Sequence, residues 1–286
     1  MLEQALPGVL PPVVFSLFFL AMAWRPWKRS GWPKGDWGSA LGVALGYIVA
    51  DELVRRTHQV WPDGGRMHPH IALFAAVFVI ATARPKLATF RALLAVILTI
   101  AASALILRTP LRDDRGHAMK VIAIASGAGL AMWSACSLAA SRQGGARVPL
   151  MLWAAAAGNA VVFLQNSSIS MAQMSGALAA CMGGFVILGW WRPQIPAVRG
   201  AIPVYVLVML GLMVVGRHYD KPWEESHWSF FLGACAVASP AVTLLPPIKK
   251  LKPWQGTLVG LMLTIALCVA AVALSDNKFD FSSLSS

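Results

Sequence analysis

The sequence predicts an all-α protein, a polytopic integral membrane bundle of about ten transmembrane helices with both termini outside. Three observations carry that expectation. Apolar runs of about 20 residues recur along the whole chain, the length a helix needs to cross the hydrocarbon core. The chain is 57% hydrophobic and 13% charged, about half the charge of a soluble domain. Its charges are also sorted, with Lys- and Arg-rich segments alternating with segments that hold nearly all the acids. The period-2 alternation of a membrane β-barrel is absent.

In chain order, helices are expected at about 7–24, 36–54, 69–83, 88–107, 118–140, 149–166, 170–190, 201–216, 228–247 and 255–274. The first is preceded by the acidic Glu3 and followed by Arg25, Lys28 and Arg29. A secretory signal has the reverse order, basic and then apolar. The first helix is therefore expected to be retained, although Ala21-Met22-Ala23 resembles a cleavage site. The second helix ends in Asp51 and Glu52 and carries Gly42 and Gly46 at GxxxG spacing. Gly256 and Gly260 repeat that spacing in the tenth. Small faces let backbones approach closely in lipid, so both motifs are read as packing within the bundle. The third and eighth runs are short for a full crossing. The sixth holds Asn159 and meets the seventh through the uncharged turn Gln165, Asn166, Ser167, Ser168 and Ser170. The ninth carries Ser239-Pro240 midway; a proline there frees a carbonyl and bends the helix. Pro246-Pro247 ends it.

The charge pattern tests this count. Segments after odd-numbered helices hold Arg25, Lys28, Arg29, Lys34, Arg84, Lys86, Arg91, Arg142, Arg147, Arg192, Arg199, Lys249, Lys250 and Lys252, against the single acid Asp36. Merging any two helices would scramble that separation. Positive loops resist translocation, which assigns the basic segments to the cytoplasm and both termini to the periplasm of a bacterial inner membrane. The Ala- and Arg-rich composition fits a GC-rich bacterial genome. Tryptophans agree: Trp24, Trp27, Trp32, Trp37, Trp190, Trp191 and Trp254 fall at expected inner boundaries, and Trp61, Trp223 and Trp228 at outer ones. Amphipathic rings favour the headgroup level. Only Trp133 and Trp153 fall well inside a span.

The chain reads as one membrane domain, 1–286, divisible into halves 1–148 and 149–286. Five helices per half would give an inverted repeat, a common transporter plan. The only echo runs in parallel, Leu98-Thr99-Ile100-Ala101 against Leu263-Thr264-Ile265-Ala266. The net charge of +12 and pI near 10.2 belong with cytoplasmic loops and anionic lipid. No basic stripe interleaved with stacking aromatics argues for nucleic acid. Cys136, Cys181, Cys235 and Cys268 all sit in apolar runs without CxxC spacing, so they read as packing residues.

Residues that could carry chemistry are few. No ionisable group falls near the middle of an expected span, where such groups usually serve ion coupling or voltage sensing. All six histidines lie toward the outer side. His68 and His70 flank a proline and could offer two imidazoles to a metal, with Asp63, Glu224 or His227 completing the set. The spacing is neither HExxH nor a Cys/His finger, and it equally suits loop polarity or a pH-responsive surface. Asp51 and Glu52 could form a cation vestibule, or lie in the headgroup layer paired with Arg55 or Arg56. Asn159, Gln165, Gln173 and Ser239 are candidate contacts for a polar neutral solute, or else interhelical hydrogen bonds worth about 1 kcal/mol each. Nucleophile-elbow, phosphate-loop and HExxH motifs are missing, and the sequence indicates no cofactor.

The leading functional expectation is a small-solute transporter or permease. The chain has little mass outside the membrane, and the ninth helix and the hairpin between helices six and seven are polar or broken where a site could form. A non-catalytic scaffold or accessory subunit is the first alternative, and an outer-face metal-dependent enzyme or sensor the second. The expected partners are the lipid bilayer and a small polar solute, not nucleic acid.

Overall fold

The computed structural model describes residues 2–24, 36–55, 67–82, 90–108, 115–166, 169–193, 198–219 and 227–275. Among these, every long element is helical: α1 (Leu2–Trp24), α2 (Asp36–Arg55), α3 (His68–Thr82), α4 (Arg91–Ile106), α5 (Arg115–Arg142), α6 (Arg147–Gln165), α7 (Ile169–Trp191), α8 (Ala201–Tyr219), α9 (His227–Ala238) and α10 (Pro253–Ala273). No strand occurs among the described residues. The stretches Asp36–Val54, Arg115–Arg142, Arg147–Gln165, Ile169–Trp191 and Pro253–Ala273 are long and apolar enough to cross a membrane. Shorter apolar stretches lie in α1, α3, α4, α8 and α9.

Prolines set several boundaries. Pro253 opens α10 at its first position, where no N–H is needed. The Gln255 side chain accepts the Lys252 N–H at 3.0 Å and closes that end. In α9 the expected bend takes a specific form. The α-helix stops at Ala238 and continues as a 3₁₀ segment, Ser239–Leu244, with Pro240 in its first turn. The Val237 carbonyl, whose 3₁₀ partner would be the N–H that Pro240 lacks, accepts instead from Cys136 Sγ at 3.2 Å. One α-turn, Pro246–Lys249, then leads toward α10.

The bundle is organised around α8. Residues 201–216 are buried on every side, against α2, α3, α4, α5, α7 and α9. A helix that is apolar all round belongs in an interior, and Val204–Leu210 is apolar throughout. The helix sits inside the bundle, not at its edge. Around it, α1 pairs with α2 and both touch α7, while α6 joins α7 to α9 and α10.

The outer helices reverse the soluble pattern. On α10 the buried positions are Gly256, Gly260, Thr264, Cys268 and Ala271, whereas Leu258, Met262, Ile265 and Val269 are exposed. On α1, Val14, Phe18 and Met22 are exposed, while Pro12 and Ser16 face inward. Large apolar side chains outside and small ones inside suit lipid as the surrounding solvent. The α1–α2 seam shows why. A Cβ on Gly42 would lie 3.0 Å from Ser16 Cα, and one on Gly46 3.1 Å from Pro12 Cα. Both approaches are within the chain, as the GxxxG spacing suggested.

One end of the bundle gathers the starts of α2, α4, α6, α8 and α10 with the ends of α1, α5 and α7. There Gly145, at φ +72°, turns the chain between α5 and α6, and that turn packs on Gly189 of α7. Arg91, Arg142, Arg147, Arg192, Arg199, Lys249, Lys250 and Lys252 belong to this end, with Asp36 as its one acid among the described residues.

Replacing Gly46 with Val should cost about 1–3 kcal/mol of stability through overpacking. Gly127, with nothing within 4 Å of its Cβ position, should accept Ala at no cost or gain about 0.5–1 kcal/mol in helix propensity. Thermal unfolding in detergent checks both; equal behaviour of the two variants would remove the seam argument.

Candidate functional site

Among the described residues, most buried polar groups are consumed by the fold. Ser175 Oγ donates to Ala156 O at 2.7 Å, and Tyr205 Oη to Leu152 O at 2.7 Å, tying α7 and α8 to α6. Asn159 is buried and donates from Nδ2 to Ala155 O at 2.8 Å and to Gly233 O at 3.3 Å. Its side chain thus clasps α9. Ser239 Oγ pairs with Thr264 Oγ1 at 2.5 Å, and Thr264 donates onward to Gly260 O at 2.8 Å. Gln173 is exposed on α7, and Gln165 is half-buried at the end of α6. Asn159 and Ser239 therefore engage separate neighbours.

At the opposite end of the bundle from the basic residues, His68 is fully buried at the start of α3. Its Nδ1 lies 2.8 Å from Tyr47 Oη, with the rings edge-on at 5.6 Å. A Cβ on Gly211 of the central helix would lie 3.7 Å from His68 Cβ. Asp51 and Glu52 are half-buried about one turn beyond Tyr47 on α2, and His70 is half-buried on α3. No three His, Cys, Asp or Glu side chains come together as a metal set among the described residues. Arg56, Asp63, Ser167, Ser168 and Glu224 lie outside the described residues, as do the side chains of Arg55 and His227.

A different site opens at the basic end. A cleft of about 740 Å³ is walled by Phe78 and Val79 of α3, by α4 from Arg91 to Val96, by α5 from Leu130 to Ser141, and by Arg199, Gly200 and Pro203 leading into α8. Asp36 completes the rim. Trp133 stands edge-to-face on Phe78, with centroids 5.4 Å apart at 86°. Below this aromatic corner, Ser134, Ser137 and Ser141 follow one another at three- and four-residue spacing along the cleft face of α5.

The serines differ from the other hydroxyls. Thr82, Thr99, Ser103 and Ser141 each donate to a carbonyl three or four residues back, at 2.7–3.0 Å. This is the usual way a helix absorbs a hydroxyl in lipid. Ser134 and Ser137 make no hydrogen bond among the described residues. Two free hydroxyls, an aromatic corner and a rim of two guanidiniums and one carboxylate give the cleft an amphipathic lining. None of Asp51, Glu52, His68, His70, Asn159, Gln165, Gln173 or Ser239 lines it.

Comparison with protein-family models, with curated proteins and with solved structures finds no match to this chain.

The cleft had one usable signal in the sequence. Trp133 breaks the interfacial rule for tryptophan, and a serine stripe follows it at helical spacing. The stripe points to a site only once α3 and α4 are known to stand opposite.

Asn159→Ala should cost about 1–2 kcal/mol of stability, since it leaves Gly233 O without its interhelical donor. Gln173→Ala should stay within about 0.5 kcal/mol of the parent. Chemical or thermal unfolding in detergent reads both, and a neutral Asn159→Ala would mean that α6 and α9 are held by packing alone.

Proposed function

We propose that the protein is a small-solute transporter or permease of a bacterial cytoplasmic membrane. In this reading about ten helices cross the bilayer, both termini are periplasmic and the basic segments face the cytoplasm. The observation that carries the proposal is the 740 Å³ cleft with its unused serine hydroxyls. Ser134 is exposed and Ser137 half-buried on the cleft wall, so both hydroxyls stand open to a ligand, which a bundle built only for scaffolding does not need. With the basic end cytoplasmic, the cleft is an inward-facing binding site.

The lining suggests the solute. Phe78 and Trp133 would hold an apolar part, Ser134 and Ser137 would donate to or accept from its hydroxyl or carbonyl groups, and Arg91 and Arg199 would favour a carboxylate at the mouth. The solute is then a small organic molecule, neutral or anionic, with polar groups along one edge.

Uptake into liposomes containing the purified protein, across polyols, amino acids and small carboxylates, is expected to show flux for one class. Ser134→Ala combined with Ser137→Ala should lower that flux by roughly tenfold through the loss of hydrogen bonds worth about 1–2 kcal/mol together, with folded protein unchanged. Flux for no class, together with a Ser137→Cys thiol that water-soluble reagents cannot reach, would remove the proposal. The topology has its own check. Lys250→Cys should label only from the cytoplasmic side and Ser275→Cys only from the periplasmic side; the reverse would overturn the assignment.

A further inference from the structure

A second cavity, of about 380 Å³, lies at the basic end beneath the 3₁₀ segment of α9. Four cations from three parts of the chain line it: Arg142 closing α5, Arg147 opening α6, and Lys249 and Lys252 on either side of the approach to α10. No acidic side chain among the described residues lines it. Helices α6 and α10 both begin at its edge, which adds the positive ends of two helix dipoles. The C-terminal end of α5 offsets part of one of them. Scattered loop cations satisfy a topology rule without forming a concavity; here they surround one.

Two further features describe the occupant. Gln143 lines the cavity and uses its amide nitrogen on Thr243 Oγ1. Its carbonyl oxygen is buried with no partner among the described residues, an acceptor that the fold leaves unused. Beside the cavity, Leu245, Leu251 and Trp254 are exposed, Trp254 by 62%. Such side chains belong where acyl chains meet headgroups.

We propose that this basin binds the phosphate of an anionic phospholipid headgroup, with Gln143 accepting from a headgroup hydroxyl, as in a phosphoglycerol. The four cations neutralise the phosphate, and Leu251 and Trp254 meet the chains. The site is separate from the cleft and does not depend on transport.

The test uses the full chain in detergent, titrated with phosphatidylglycerol, phosphatidylcholine or free glycerol phosphate and followed by native mass spectrometry and thermal unfolding. Phosphatidylglycerol is expected to bind and raise the unfolding midpoint, with the other two far weaker. Arg147→Gln combined with Lys252→Gln should weaken binding roughly thirtyfold. Arg192→Gln combined with Lys250→Gln removes the same charge from the same end outside the basin and should change it no more than about threefold. If the first pair does not fold, Arg142→Gln with Lys249→Gln serves in its place. Equal losses in basin and control variants, or equal binding of phosphatidylcholine, would overturn the site. Equal binding of free glycerol phosphate would overturn the lipid as its occupant.

Discussion

Close approach of helix backbones along seams of small residues is the interaction on which this bundle rests. Lipid offers no hydrophobic drive to bring apolar helices together. Association must come from contact, and contact requires that Cβ atoms be absent or small. Gly42 and Gly46 let α2 lie on Pro12 and Ser16 of α1, and Gly256 and Gly260 head the buried stripe of α10. Because the small residues turn inward, the bulky ones turn out. The apolar exterior follows from the packing rule and not from a lack of polar residues.

The same solvent dictates what polar groups do. In hydrocarbon a hydroxyl or amide needs a partner inside the protein. Asn159, Ser175, Tyr205, Ser239 and Thr264 find theirs on neighbouring helices or their own backbone, and so act as fasteners between elements. Against that background Ser134 and Ser137 are informative, because they sit in the same kind of helix without the usual bond. The cleft they line is one place where a polar group goes unused by the fold, and the Gln143 oxygen of the second cavity is another.

Charge adds a second level of organisation. The basic end carries both cavities, one with a mixed rim of Arg91, Arg199 and Asp36, the other with cations alone. The two therefore differ in character: an amphipathic lining in the first, a charged lining that is wholly cationic among the described residues in the second. The far end carries the buried Tyr47–His68 pair, which joins α2 to α3 beside the central helix.

The sequence by itself determined the helical class and the sorting of charge, because apolar run length and charge placement are local quantities. It placed most helix ends within a few residues, but ran the ninth helix to 247 where the α-helix stops at Ala238. It also marked Gly42, Gly46 and Pro240 correctly as places where packing or helix form would be special, since the effect of a missing Cβ or N–H is local too. Only the tertiary structure decided which helix lies at the centre. A uniformly apolar run such as Val204–Leu210 looks the same whether lipid or protein surrounds it. Likewise Asn159 and Ser134 are equally polar as letters; one meets a carbonyl on α9 and the other meets open space. Which of the two can serve a ligand depends on neighbours far away in the chain, and that information exists only once the helices have packed.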